Sequence, residues 1–305
     1  MKSKKISTLK LIAVILFWSI NFLLIKLALP YINPLTLTFY RFIGATIFFS
    51  ILTIFFFKKP LLPDKGEKLL LAAIGILQIG IVSSLSAVGI SLIPPGRASI
   101  LIYTMPVWAM IIAYFIFKEK PNTAEAFGLI IALIGISIFL NPWITDWSVK
   151  STLIGYFLLI LVALSWALGA CIFRNKRWSS PPATMTFWQL MSATIFSVIC
   201  VSFFGEEHEV QWNFPVLTVL IFNWIIASGL CYWWWNDVLK AMKASTAGQA
   251  ATLVPIVVLF LSYIFFDEPI TAGLLISATL ISLGIILTIK GSERANIIKA
   301  KSEIL

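Results

Sequence analysis

Apolar residues fall in ten runs, each near the ~20 residues that a helix needs to cross a bilayer, and short polar or proline-containing connections separate them. The runs cover residues 9–28, 35–57, 69–89, 97–117, 124–141, 152–173, 183–204, 215–239, 245–265 and 270–290. A bilayer core offers the backbone no water, so each run must satisfy its hydrogen bonds internally, as a helix. The pattern predicts an all-α integral membrane fold of ten transmembrane helices.

The same half occurs twice. Pro34 to Phe49 lies over Pro182 to Ser197 at an offset of 148, with 8 of 16 positions identical. Upstream, Trp18 meets Trp166 and Lys26 meets Arg174. Downstream, at offset 149, Ala98, Pro106, Tyr114, Glu119 and Gly135 meet Ala247, Pro255, Tyr263, Glu268 and Gly284. Five runs fall in each half, and an odd count forces the halves into opposite orientations. The sequence therefore predicts two inverted-topology repeats of five helices, residues 8–141 and 152–290, with a short basic tail at 291–305. Many secondary transporters are built this way.

Composition agrees: hydrophobic residues make up 60% and charged residues 12%, against about 25% charged in a soluble domain, and the mean hydropathy is +0.97. The net charge of +10 would suggest nucleic acid in a soluble protein. Here 19 of the 23 Lys and Arg residues fall on one side of the predicted topology, in both terminal segments and every second loop. By the positive-inside rule both termini are expected in the cytoplasm, and nucleic acid is not an expected partner. The first run is read as a span rather than a signal peptide, because it has spanning length and is matched by the sixth run through Trp18 and Trp166. Cys171, Cys200 and Cys231 lie within spans and form neither a disulfide framework nor a metal spacing.

Candidate chemistry lies where spans carry breaks, polar groups or charges. Pro106 and Pro255 fall near the middle of spans four and nine at matched positions, freeing the carbonyls of Ile102 and Ala251. Matched interruptions in two halves point to a transporter's binding site, although a packing kink without ligand is the plainer alternative. Around them gather Tyr103, Trp108, Gln249 and Thr252, with Trp18, Asn21, Tyr40, Gln78, Trp166 and Trp188 on other spans. An amide in a bilayer usually faces protein or a water-filled cavity. Trp18, Trp108 and Trp166 lie too deep for an interfacial aromatic belt, so they wall a cavity or pack the core. Lys26 and Arg41 are the basic residues inside spans. With Arg97 they form an outer vestibule that attracts a carboxylate, unless Lys26 and Arg41 merely snorkel to the surface. Glu119 and Glu268, repeat partners at the ends of spans four and nine, are weak candidates for gating or coupling beside ordinary helix-end capping.

These residues resemble the EamA-type branch of the drug/metabolite transporter superfamily. The resemblance rests on Trp18 with Asn21-Phe22, Pro34 and Arg41, and the segment Arg97-Ala98-Ser99 through Pro106 to Glu119, then Gly128 and Gly135. The second half supplies Tyr232, Trp235, Ala247, Pro255, Glu268, Gly273 and Gly284. Residues 8–290 are covered. The resemblance departs at Ser19, which follows the first-span Trp, and at Gln189, the counterpart of Arg41. It implies a bacterial inner-membrane carrier, commonly an exporter of amino acids, nucleobases or related metabolites, with a central cavity between its halves.

A membrane enzyme would need a nucleophile with a base, paired carboxylates or metal ligands, and the single His208 has no second His for a metal site. The expected function is a secondary transporter, an exporter of small organic metabolites such as amino acids, working by alternating access around a midplane cavity. Alternatives are an uptake carrier or exchanger for a nucleoside-type metabolite or organic cation, or a passive channel. The expected partners are a small-molecule substrate and the lipid bilayer, with no cofactor and no metal.

Overall fold

The computed structural model describes residues 2–140, 149–205, 209–241 and 252–302. These residues form ten helices and no strand. The helices are α1 (Lys2–Ala28), α2 (Pro34–Phe56), α3 (Lys68–Leu92), α4 (Pro95–Phe115), α5 (Thr123–Phe139), α6 (Lys150–Arg174), α7 (Pro182–Phe204), α8 (Phe214–Trp235, continuing to Ala241), α9 (Leu253–Phe266) and α10 (Ala272–Ser302). Eight of them are long and apolar enough to cross a membrane, and α5 and α9 are shorter apolar helices. The chain is a multi-pass membrane protein. Residues 291–302, expected as a tail, continue α10 as helix.

Local chemistry sets the helix starts. Asn33 caps α2, its Oδ1 accepting the amides of Leu35 at 2.9 Å and Thr36 at 3.5 Å, and Pro34 occupies the first turn, where no amide is needed. Asn122 and Glu125 form a capping box at α5, with Glu125 Oε2 accepting the Asn122 amide at 2.6 Å. The Asn122 side-chain amide also donates to the Gly291 carbonyl at 3.0 Å, tying α5 to α10.

Lipid is as apolar as leucine, so close backbone approach and polar contacts must hold these helices together. The α5–α10 pair shows it most plainly. A Cβ on Gly128 would sit 2.6 Å from the Gly284 carbonyl oxygen, and one on Gly284 would sit 2.5 Å from the Ala132 amide nitrogen. Only glycine permits that crossing. Elsewhere α1 packs on α8 and α9, α2 on α7 and α8, α3 on α6, and α4 on α6 and α9. Large apolar side chains such as Phe203, Phe204 and Phe214 face outward, as a lipid solvent allows.

Irregular backbone lies elsewhere than the prolines alone would place it. At Pro106 the helix is fully broken, with Tyr103 and Thr104 in a turn between Pro95–Ile102 and Met105–Phe115. The Thr104 hydroxyl donates to the Leu101 carbonyl at 2.6 Å and accepts from Trp108 Nε1 at 3.0 Å, which stitches the gap. Pro255 lies in the first turn of α9, just after Thr252, rather than at a kink within a continuous described helix. In addition, α2, α3 and α8 each pass through a π-helical stretch, Leu52–Phe56, Ile76–Ile81 and Asn223–Leu230, none of which contains a proline. π-turns widen the helix and are frequent at functional sites.

Candidate functional site

A cavity lies between α1, α2, α3, α4, α6 and α8, and the π stretches of α3 and α8 border it. Its lining runs along α1 from Trp18 to Ile25 and along α3 from Gln78 to Ile90, about 10 and 18 Å at 1.5 Å per residue. It therefore extends from mid-span toward the end that holds Asn33 and Pro95, away from the end where Lys10, Lys68 and Arg174 lie.

An aromatic cluster closes the lysine side. The Trp18 ring meets Trp166 at 6.4 Å edge-on, Tyr232 at 5.7 Å and Trp235 at 5.6 Å, and Trp166 meets Tyr103 at 5.6 Å. Edge contacts of this kind add about 0.5–1.5 kcal/mol each beyond burial in double-mutant cycles. The π stretches hold the cluster in place. Trp18 Nε1 donates to the Ala227 carbonyl at 3.3 Å, and the hydroxyl of Ser165, beside Trp166, donates to the Leu77 carbonyl at 2.8 Å. Toward the lysine-rich end, Lys10 and Asp237 pair α1 with α8.

The charge at the site belongs to Arg41. Its side chain is buried, 4% exposed, and lines the cavity. Its Nε donates to Asn223 Oδ1 at 2.8 Å. Asn223 is completely buried and is the hub of a network: its Nδ2 donates to Asn21 Oδ1 at 2.8 Å and to the Val219 carbonyl at 2.9 Å, and its Oδ1 also accepts from Ser228 at 3.3 Å. One guanidinium nitrogen of Arg41, Nη1, is buried with no hydrogen-bond partner among the described residues.

Of the residues singled out by sequence, Trp18, Asn21, Gln78, Tyr103 and Trp166 come together around this cavity. Tyr40 does not. It is one position from Arg41, so its side chain is rotated by about 100° and packs on Trp212 at 5.2 Å. Trp108 serves the α4 break, and Trp188 donates to the Lys68 carbonyl at 2.9 Å between α7 and α3. Tyr103 and Thr252, the repeat partners, meet in a smaller cavity bounded by Pro255. Gln249 lies outside the described residues. Sequence reasoning passed over Asn223, Ser83, Ser86 and Ser228. Asn223 carried the same signal as Asn21, an amide within a span, whereas serines and π-turns carry no distinctive local mark.

The three cations expected at one outer vestibule take separate partners. Arg41 sits in the cavity wall, Lys26 Nζ donates to the Ile90 carbonyl at 2.7 Å, and Arg97 lies 3.9 Å from Glu268. Glu268 is buried and accepts the Gly96 and Arg97 amides at 2.8 and 3.0 Å, sealing the first turn of α4. Glu119 instead faces Arg174 at 2.7 Å in an exposed pair. Both glutamates hang from the same turn: Lys118 and Asp267 take left-handed backbone angles, and the Glu119 and Glu268 amides reach back six residues to Ala113 and Ser262.

The EamA-like transporter family matches this chain over residues 5–141 and again over 153–290. The chain belongs to that family. Bacillus subtilis (strain 168) has a similar protein, "Uncharacterized transporter YoaV", 28% identical over 91% of this chain and 94% of its own length. Proteins named "Probable amino-acid metabolite efflux pump" are 25% identical in Salmonella typhimurium and in Escherichia coli K12, covering 95% and 98% of this chain and 96% and 100% of theirs. A solved crystal structure shares the fold with a TM-score of 0.65 at 18% identity, over 93% of this chain and 97% of that one. The chain is thus an EamA-type transporter, and the cavity between its helices is the candidate passage.

Proposed function

We propose that this EamA-type transporter is a secondary exporter of small organic metabolites such as amino acids, resident in the cytoplasmic membrane with both termini inside. The reading rests above all on one observation: a cavity at mid-span is lined by side chains from both halves of the doubled sequence, including the repeat partners Trp18 and Trp166. In this reading residues 8–141 and 152–290 are inverted five-helix repeats that rock about the shared site. Lys10–Asp237 and the Trp18 cluster close the cytoplasmic side, and Glu268, just after α9, closes the outer side by holding the first turn of α4. The similar proteins named as amino-acid metabolite efflux pumps support the substrate class.

The test is uptake into proteoliposomes from a pooled set of labelled amino acids, nucleobases and organic cations, with and without a proton gradient. Saturable, protein-dependent uptake of amino acids is expected. Saturable uptake confined to nucleobases or cations would replace the substrate class, and no saturable uptake by folded protein would overturn the carrier reading.

A further inference from the structure

The geometry points to Arg41 as the receptor for a substrate carboxylate, which makes the ligand a small monocarboxylate, zwitterionic or anionic, with an aromatic or apolar body. This inference rests on the transport reading above and names the chemical class that its cavity takes.

A guanidinium inside a bilayer span is retained only where something repays its desolvation. The described residues lining the cavity include no Asp or Glu. Arg41 lines the cavity, and its Nη1 is buried beside it without a partner while Asn223 holds its Nε at 2.8 Å. Asn223 is fixed in turn by Asn21 and Val219. The side chain is held at Nε, so a carboxylate that reaches the guanidinium from the cavity meets a group already fixed in place, and little side-chain entropy is lost on binding. Charge-assisted bonds of this type are roughly twice as strong as neutral ones.

The duplication adds a count. Gln189 occupies the position of Arg41 in the second half and is neutral. One half carries a carboxylate receptor and the other does not, which favours one carboxylate per substrate over two. Trp18, Trp166, Tyr103 and Tyr232 give the wall much of its aromatic surface. Ring faces accept an apolar or aromatic body and tolerate an ammonium group. A free organic cation would meet the Arg41 charge with no counter-ion.

Three probes share one ring and differ in charge: phenylacetate, L-phenylalanine and phenethylamine. Thermal stabilisation of the detergent-purified full chain measures binding, and counterflow in proteoliposomes measures transport. Phenylacetate and phenylalanine are expected to raise the melting temperature and phenethylamine is not. Arg41→Gln is expected to weaken both acids by at least about 10-fold, and Arg41→Lys, which keeps the charge and loses the fork, by less. The inference falls if phenethylamine binds as tightly as the acids, if neither acid binds, or if folded Arg41→Gln binds them unchanged. The wild-type ranking of the three probes decides the matter even if Arg41→Gln does not fold. Arg41-dependent binding without flux would overturn the transport reading alone, whereas Arg41-independent flux of cations would overturn this inference alone.

Discussion

Thr46 and Thr194 occupy the same position in the two copies of the doubled sequence, and their hydroxyls meet at 2.8 Å between α2 and α7. Trp18 touches its own repeat partner Trp166 as well. At the α5–α10 crossing, Gly135 packs on Ile281 while their partners Gly284 and Ala132 pack on each other. Contacts between equivalent positions are what a two-fold relation produces, and they support the proposal of paired inverted halves.

The Thr46–Thr194 bond is a testable pair. Thr46→Val and Thr194→Val are each expected to lower the melting temperature in detergent. The double mutant is expected to lose less than the sum, with a coupling of about 0.6 kcal/mol, the average that double-mutant cycles give for polar side-chain bonds between membrane helices. Strict additivity would show that the contact carries no energy.

At the α5–α10 crossing the expectation is steric. Gly284→Val places side-chain atoms where the Ala132 and Gly128 backbones already lie and is expected to cost about 1–3 kcal/mol or more. Leu283→Ala, one residue away on the exposed face, is expected to change stability by less than about 0.5 kcal/mol. Melting curves of the two variants make the comparison.

Glu119 and Glu268 share a local turn and differ in surroundings, so their loss is expected to differ. Glu268→Ala leaves the Gly96 and Arg97 amides without their acceptor in a buried site, a loss of about 1–3 kcal/mol. Glu119→Ala removes an exposed ion pair, worth at most about 1 kcal/mol. Equal shifts in melting temperature would contradict the different partners.

Glu67 sets an acid-side pH dependence. Burial raises its carboxyl, but hydrogen bonds from Ser180 and Ser179, side chain and backbone, outweigh that and bring it from 4.5 down to about 2. A depressed folded-state value stabilises the protein above the unfolded value, and the contribution is lost as pH falls through the window from 4.5 toward 2. Glu67→Gln is expected to be less stable than wild type at pH 7, with the gap closing below pH 4.5. A pH-independent gap in denaturation experiments would rule this out.

The sequence by itself determined the spans, because bilayer thickness imposes a length on apolar runs that can be counted along the chain. It also determined the doubling, and it marked Trp18, Asn21, Gln78, Tyr103, Trp166 and Arg41, because polar, aromatic and charged groups stand out in an apolar background. Only the tertiary structure decided which of these share a cavity. Trp108 and Trp188 carried the same mark and serve the α4 break and the α3–α7 contact instead. The partners that settle each role lie far away in sequence: Asn223 is 182 residues from Arg41 and Glu268 is 171 from Arg97. The π stretches of α3 and α8 have no proline to announce them and arise where neighbouring helices take up the displaced carbonyls of Leu77 and Ala227. Hydrophobic pattern is a property of neighbours along the chain, whereas the buried, unpartnered Nη1 of Arg41 exists only once the helices around the cavity are packed together.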